Sequence, residues 1–490
     1  MRRLDTLLRY YIERSGYTIY GIAKIANVNR STLQKVLTEN RKPSGELIEK
    51  LIPYLKLSPD EKDDLREITE ILNVGEDIFY QRQFIKKLLE HTADILLGRV
   101  ISFIDAAEKS PSLYVGYKNT QFFHGNYTVE NLLNMLLIHT ARKGCSEIRT
   151  NIPGHSELFS NVLKHIIYYC PDYRNLRVCH FILFHKNIRE EKLTIDNLKI
   201  FYNIIPFIIT SDFLYEVNYY YDSGAPIVKD ALTAFPYFVI EKEWGVILSE
   251  DCNSAVFIKS EQILEYLNNL YESFLSRTEP LATICTQPED ILPTLLDLNQ
   301  DEPRLFVLEN QPCFTAFLTD ELIWKCARKE IPAYKSVVPA LCLRSRQLQN
   351  LTSHISIFSK SGLQQFVETG YISDLTPEYA CPLDIKDRYY LLKCLYQAIE
   401  EDTMAGYMVN PLNFHISEDF SYLMVPNKGL IFFGYNQERR NYHYVLLKEA
   451  TLLEAFYDFS LYITNSAYVY SKEDTLDCLK QYMETLHRQQ

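Results

Sequence analysis

The stretch Thr18-Ile19-Tyr20-Gly21-Ile22-Ala23-Lys24-Ile25-Ala26-Asn27-Val28-Asn29-Arg30-Ser31-Thr32-Leu33-Gln34-Lys35-Val36 predicts two short helices across a tight turn. Thr18 is placed to cap a helix carrying Ile22, Ala23 and Ile25, Asn27-Val28-Asn29 makes the turn, and Asn29 caps the next helix. In that helix, from Arg30 to about Thr38, the helical period turns Leu33 and Val36 inward and leaves Arg30, Ser31, Gln34 and Lys35 outward.

Working outward, Leu4, Leu7, Leu8, Tyr11 and Ile12 form one apolar stripe of a preceding helix that Ser15-Gly16 ends. Asn40-Arg41-Lys42-Pro43 breaks the third helix. Ser44 caps a fourth with Leu47, Ile48, Leu51, Ile52 and Leu55, and Ser58-Pro59-Asp60-Glu61 forms a capping box. Two helices across a tight turn, the second polar and basic on its outside, have the form of a helix-turn-helix.

These residues resemble the lambda-repressor-like (Cro/C1, XRE-type) helix-turn-helix regulators over the first 60 or so residues. Thr18 to Val36 keeps that family's register without a gap, and Asn40 to Ser44 matches its loop into the fourth helix. The resemblance implies a shared core of Ile22, Ala23, Val28, Leu33 and Val36, with Arg30, Ser31, Gln34 and Lys35 on a base-reading face. It departs from the family at Ile19, where a phosphate-contacting Gln is usual, and at Gly21 and Asn27, which replace an acidic residue and the turn Gly. Leu37-Thr38-Glu39 replaces the common Glu-Asn-Gly. Phosphate contacts are therefore expected from Tyr20, Thr38, Asn40, Arg41 and Lys42.

The chemistry supports the same surface independently. Arg30 and Lys35 can donate to guanine O6 and N7, Gln34 can pair with adenine, and Arg41 and Lys42 suit phosphates. The expected DNA-binding set is Asn29, Arg30, Ser31, Thr32, Gln34, Lys35, Thr38, Asn40, Arg41 and Lys42.

The charge agrees. The 490-residue chain carries a net charge of −12 from 51 Lys+Arg and 63 Asp+Glu, but residues 1–56 hold 11 basic and 5 acidic residues, leaving −18 for the remainder. A small basic head on a large acidic body points the head, and only the head, at an anionic partner.

Elsewhere the sequence is informative mainly by exclusion. The 16 glycines never lie closer than five positions and Gly-Lys does not occur, so neither a GxGxxG dinucleotide loop nor a Walker loop is present. The 11 cysteines include no CxxC, and HExxH and GxSxG are missing, so we expect no catalytic residue, no metal and no cofactor. His155-Ser156-Glu157 and Cys381 read as cap or loop residues, and the Tyr219-Tyr220-Tyr221 and Tyr389-Tyr390 clusters read as core. No leader and no run of about 18 apolar residues is seen, so a cytoplasmic protein without membrane contact is expected.

The expected architecture is multidomain: an all-α helix-turn-helix bundle at 1–72, a linker or dimerisation helix at 73–100, and an α/β (α+β) body of two related subdomains, 101–297 and 298–490. Within the body, Leu176 to Phe184 reads as a strand, Leu193 to Ile209 as a helix that Pro206 ends early, and Tyr215 to Tyr221 as extended. An internal repeat relates 235–292 to 420–476: Phe235 to Ile240 answers Phe420 to Val425, Gly245 to Leu248 answers Gly429 to Phe432, and each run leads through a strand into a helix. A ligand cleft is expected between the copies.

The sequence thus predicts a DNA-binding transcription regulator, double-stranded DNA its partner, forming a homodimer and answering an unidentified small-molecule, peptide or protein effector. The alternatives are a protein- or peptide-binding interaction protein with an autoregulatory head, and an enzyme fused to a DNA-binding head.

Overall fold

A computed structural model describes residues 3–38, 41–96, 120–185, 192–209, 214–221, 235–331, 334–373, 377–416, 420–436 and 441–489. The chain divides into a helical unit, Met1–Phe84 with Arg189–Ile195, and an α/β unit, Ile85–Ile188 with Asp196–Gln490.

The helical unit is built from α1 (Leu4–Ser15), α2 (Ile19–Ile25), α3 (Arg30–Leu37), α4 (Gly45–Leu51), α5 (Pro59–Val74) and the first part of α6 (Glu76–Leu96). Its boundaries follow from capping. Gly16 takes the left-handed conformation (φ 85°) and ends α1. Thr18, Asn29 and Ser44 accept the backbone N–H three residues on, and Ser58 and Glu61 complete a reciprocal capping box. Asn27 has φ 53°, which explains why Asn stands in place of the usual turn Gly, since Asn tolerates this region best after Gly.

Leu8, Ile22, Leu33, Leu51, Leu55 and Leu65 are fully buried and form the core of this unit. Ile25 departs from the expected apolar set: it is 45% exposed, because Ala26, one turn after Ile22, takes the inward position. In α6, Ile85, Leu88 and Leu89 are buried; residues 97–100 of the expected linker lie outside the described residues.

The α/β unit contains two sheets. The first draws on β1 (Gln121–His124), β2 (Ser146–Thr150), β3 (Leu176–Phe184), β4 (Leu214–Tyr221), β5 (Tyr237–Ile240), β6 (Gly245–Leu248), β7 (Ser254–Ile258) and β8 (Glu279–Pro280), in the order β1-β7-β6-β5-β2-β3-β4-β8. Its helices are α7 (Asn126–Lys143), α8 (Glu157–Tyr169), α9 (Lys192–Ile209) and α10 (Glu261–Leu275).

The second sheet draws on β9 (Ala282–Cys285), β10 (Arg304–Glu309), β11 (Ser353–Phe358), β12 (Ala405–Met408), β13 (Phe420–Val425), β14 (Gly429–Asn436) and β15 (Asn441–Leu447), in the order β9-β15-β14-β13-β10-β11-β12. Its helices are α11 (Pro288–Leu298), α12 (Asp320–Cys326), α13 (Tyr334–Gln349), α14 (Lys360–Thr369), α15 (Ile385–Glu400), α16 (Ala450–Ile463) and α17 (Lys472–Gln489).

Strand for strand, β9 to β15 repeat the order and the pairing sense of β1 to β7. In both sheets three neighbouring strands, β2-β3-β4 and β10-β11-β12, are parallel and the hairpin strands antiparallel. The change of sheet falls at Leu281, between β8 and β9, so β9 comes from the span read as 101–297 yet pairs in the second sheet.

The copies align differently from the sequence match at Gly245 and Gly429. A Cβ on Gly245 would meet Leu264 and Leu267 of α10, whereas one on Gly429 would meet Leu298 of α11, so these glycines face opposite sides of their sheets. The hairpins differ by one residue: Ile240 pairs with Gly245 but Val425 with Gly429, and a one-residue shift exchanges the faces of a strand. Pro206 also departs from expectation: α9 continues through it to Ile209. Ile204, Ile205, Phe207, Ile208 and Ile209 are at most 3% exposed, and that burial outweighs the roughly 3 kcal/mol cost of an internal proline.

Candidate nucleic-acid interface

The α3 face is assembled by its neighbours. Asn29 Oδ1 accepts the Thr32 N–H at 3.2 Å, so this side chain is occupied by the helix start. At the other end the Thr38 hydroxyl donates to the Gln34 and Lys35 carbonyls at 3.0 and 3.2 Å. The Arg9 guanidinium of α1 donates to the Leu37 carbonyl at 2.7 and 3.2 Å, placing a positive charge at the negative end of the helix. Asn29 and Thr38, both expected to contact DNA, therefore have structural work in α3; Thr32 is half-buried beside the cap.

Between these ends, Arg30, Ser31, Gln34 and Lys35 are all exposed, while Leu33, Val36 and Leu37 are buried. Arg30 with Gln34, and Ser31 with Lys35, are i, i+4 neighbours and so share one surface. The Arg30 guanidinium lies 5.6 Å from the centre of the Tyr20 ring, which orients it from α2. Lys24 belongs to the same surface: it is exposed, one turn after Tyr20. The sequence reading missed Lys24, although its spacing from Tyr20 carries the signal. Arg41 and Lys42 are exposed after α3; Asn40 lies outside the described residues.

Several basic residues of the helical unit are held in ion pairs. Arg14 meets Glu61 at 2.6 Å, Lys50 meets Glu46 at 2.5 Å, Arg66 meets Glu49 and Asp63 at 2.7 and 3.2 Å, and Arg3 meets Asp5 at 3.3 Å. Arg14 holds the Glu61 carboxyl at about 2 by hydrogen bonding, helped by the Ser58 N–H. Lys24, Arg30, Lys35, Arg41 and Lys42 make no ion pair among the described residues. Among the described residues Arg9, Lys56 and Lys62 elsewhere in the unit also make no ion pair, but Lys24, Arg30, Lys35, Arg41 and Lys42 are the group gathered on and beside α3, a footprint suited to a polyanion.

In the α/β unit, the other residues noted in the sequence have structural positions. His155 is exposed before α8. Tyr219 donates to Glu279 at 3.1 Å and Tyr221 donates to Glu449, and burial together with these carboxylates raises both phenol pKa values. Tyr389 lies on α15 with its ring 6.0 Å from His487, and Cys381 is exposed.

Contacts between the two copies are packed. Asn197 donates to Thr451 at 3.0 Å, and Phe201 stacks at 6.2 Å on Phe432 and meets Phe456 edge-on. A cavity of about 90 Å³ lies instead inside the second copy, between one face of its sheet and α11 and α13. Among the described residues, no three or more His, Cys, Asp or Glu are grouped to hold a metal, and no helix is long and apolar enough to cross a membrane.

No family model and no curated protein matches the chain. Among solved structures it is similar to TrmBL2, an archaeal chromatin protein with a novel mode of DNA binding, at 13% identity and a TM-score of 0.23, covering 57% of this chain and 95% of that one. It is also similar to phosphatidylserine synthase of Haemophilus influenzae Rd KW20, at 9% identity and a TM-score of 0.24, covering 75% and 93%. At these scores neither likeness carries an argument about this chain.

Proposed function

We propose that the protein is a sequence-specific DNA-binding regulator of transcription, with α3 entering the major groove and the α/β unit sensing a signal. One observation carries this reading: a capped, exposed helix whose basic residues, and those of the turn after it, have no carboxylate partner among the described residues, in a chain of net charge −12. Arg30, Gln34 and Lys35 read base edges; Ser31, Arg41, Lys42 and Lys24 add hydroxyl and phosphate contacts.

The working form is a homodimer. One such helix reads only a few base pairs, whereas two half-sites about one helical turn apart multiply the discrimination. The test is a binding titration of the full chain against fragments of its own promoter region, with and without excess unrelated DNA. A specific complex supports the reading; equal affinity for all fragments refutes sequence-specific recognition.

A further inference from the structure

Two cysteines far apart in sequence stand opposite each other across a short antiparallel contact in the second copy. Ala327 bridges to Ala380. On one side of this bridge the Arg328 N–H donates to Tyr379 O at 2.8 Å, and on the other the Cys381 N–H donates to Cys326 O at 2.7 Å. Cys326 and Cys381 are therefore the next pair of residues along the contact. Directly opposite, hydrogen-bonded residues of an antiparallel pair carry their Cα atoms about 5.5 Å apart, within the roughly 4.4–6.8 Å that a disulfide spans.

Contacts on both flanks fix this register. Lys325 pairs with Asp384 and Asp387 at 2.8 and 2.5 Å, and the Arg328 guanidinium donates to Pro377 O at 2.6 Å. Cys326 is the last residue of α12, and Ala327 after it is already extended. Both cysteines are free thiols, the Cys326 S–H donating to Ile323 O at 3.5 Å. With the backbones held together, rotation of the two side chains brings the sulfurs into reach of each other.

The thiols differ in the way a reactive pair needs. Cys381 is exposed, so an oxidant reaches it. Cys326 is 4% exposed and packs in the apolar core of the second copy. Burial, with the nearby Cys381 sulfur, pushes the Cys326 thiol up to about 11, so it stays protonated and unreactive until its neighbour is oxidised.

We infer that Cys381 and Cys326 form a reversible disulfide when the protein meets a hydroperoxide. Cys381 attacks the O–O bond as a thiolate: an S–O bond forms, and the leaving alkoxide takes the Cys381 proton. The sulfur is oxidised to a sulfenic acid and the peroxide is reduced. The Cys326 sulfur then attacks that sulfur; the S–S bond forms, the S–O bond breaks, and the departing hydroxide leaves with the Cys326 proton as water. Two electrons pass from the two thiols to one peroxide, and a dithiol reverses the change. The bond closes a loop that contains α13, β11 and α14. That an oxidant is the signal sensed by the α/β unit rests on the regulator reading above; formation of the bond does not.

The test is peptide mass mapping of the full chain after reduction, removal of the reductant, treatment with hydrogen peroxide and alkylation. The expected product is a pair of peptides joined through Cys326 and Cys381, lacking two hydrogens, and separated again by dithiothreitol. Cys145, the other exposed cysteine, should be joined to nothing. In Cys326→Ser, Cys381 should stop at the sulfenic acid, which dimedone captures; in Cys381→Ser, Cys326 should remain a thiol. No joined pair at a dose that oxidises Cys145, or a link from Cys381 to a different cysteine, overturns the site, and the wild-type map alone decides this whether or not the variants fold. Promoter binding by the reduced and oxidised chains separates the two readings, with a change of at least about fivefold expected between them. The disulfide without DNA binding refutes the regulator and leaves the site standing. DNA binding without the disulfide refutes the site alone, and equal affinity in the two states refutes the oxidant as the signal.

Discussion

Asn29 Oδ1 accepts the Thr32 N–H at 3.2 Å, so the first polar side chain of the reading helix holds the helix rather than the DNA. Replacing Asn29 with Ala should cost about 1 kcal/mol of stability in the helical unit and weaken DNA binding through loss of helix order. Asn29→Ser, which can cap equally well, should restore both. Urea unfolding and DNA titration of the two variants check this; a Ser variant that is stable but still defective would make Asn29 a DNA contact.

Lys42 is exposed and carries no ion pair among the described residues, which suits it to a phosphate. Lys42→Ala should lower affinity about equally for all DNA sequences and reduce the slope of log K against log salt by about 1. Titrations at several salt concentrations measure this slope. A loss confined to one sequence would reassign Lys42 to base reading.

Leu33 is fully buried behind the reading face. Leu33→Ala should cost about 2–5 kcal/mol in the transition of the helical unit and leave that of the α/β unit unchanged. Calorimetric unfolding of the wild type and the variant decides it, a fall in both transitions contradicting the assignment.

Burial pushes the imidazole of His180 down to about 4 and that of His354 down to about 3, with the Arg344 charge adding to the latter. A histidine whose folded pKa lies below its unfolded value of 6.5 takes up its proton more readily unfolded. The stability it contributes is therefore complete above pH 6.5 and is lost as pH falls toward 4, by something on the order of 3 kcal/mol for each group. Urea midpoints measured from pH 7 to pH 4 should fall steeply, and His354→Leu should flatten the curve. An unchanged slope in that variant would contradict the assignment.

The helix-turn-helix was legible because its signals are local. Caps at Thr18, Asn29, Ser44 and Ser58 mark helix starts, and Leu33 and Val36 keep the helical period. The repeat was legible in outline for a similar reason, as apolar runs of matching order. What escaped depends on tertiary context. Ile25 looks like core until Ala26 is seen to take the inward position. Pro206 reads as a break until the burial around it is known. Glu309 follows the apolar run Leu305 to Leu308 and reads as a strand end, and only the fold shows that it is buried.

Arg30 and Lys35 share an exposed face and carry no carboxylate partner among the described residues. The most direct measurement is the fluorescence anisotropy of a labelled promoter fragment titrated with the wild type and with the Arg30→Ala, Lys35→Ala double variant. The expected result is an unchanged unfolding midpoint and at least about a tenfold loss of specific affinity, each lost base contact being worth roughly 1–3 kcal/mol. A double variant that binds the fragment as tightly as the wild type would contradict it.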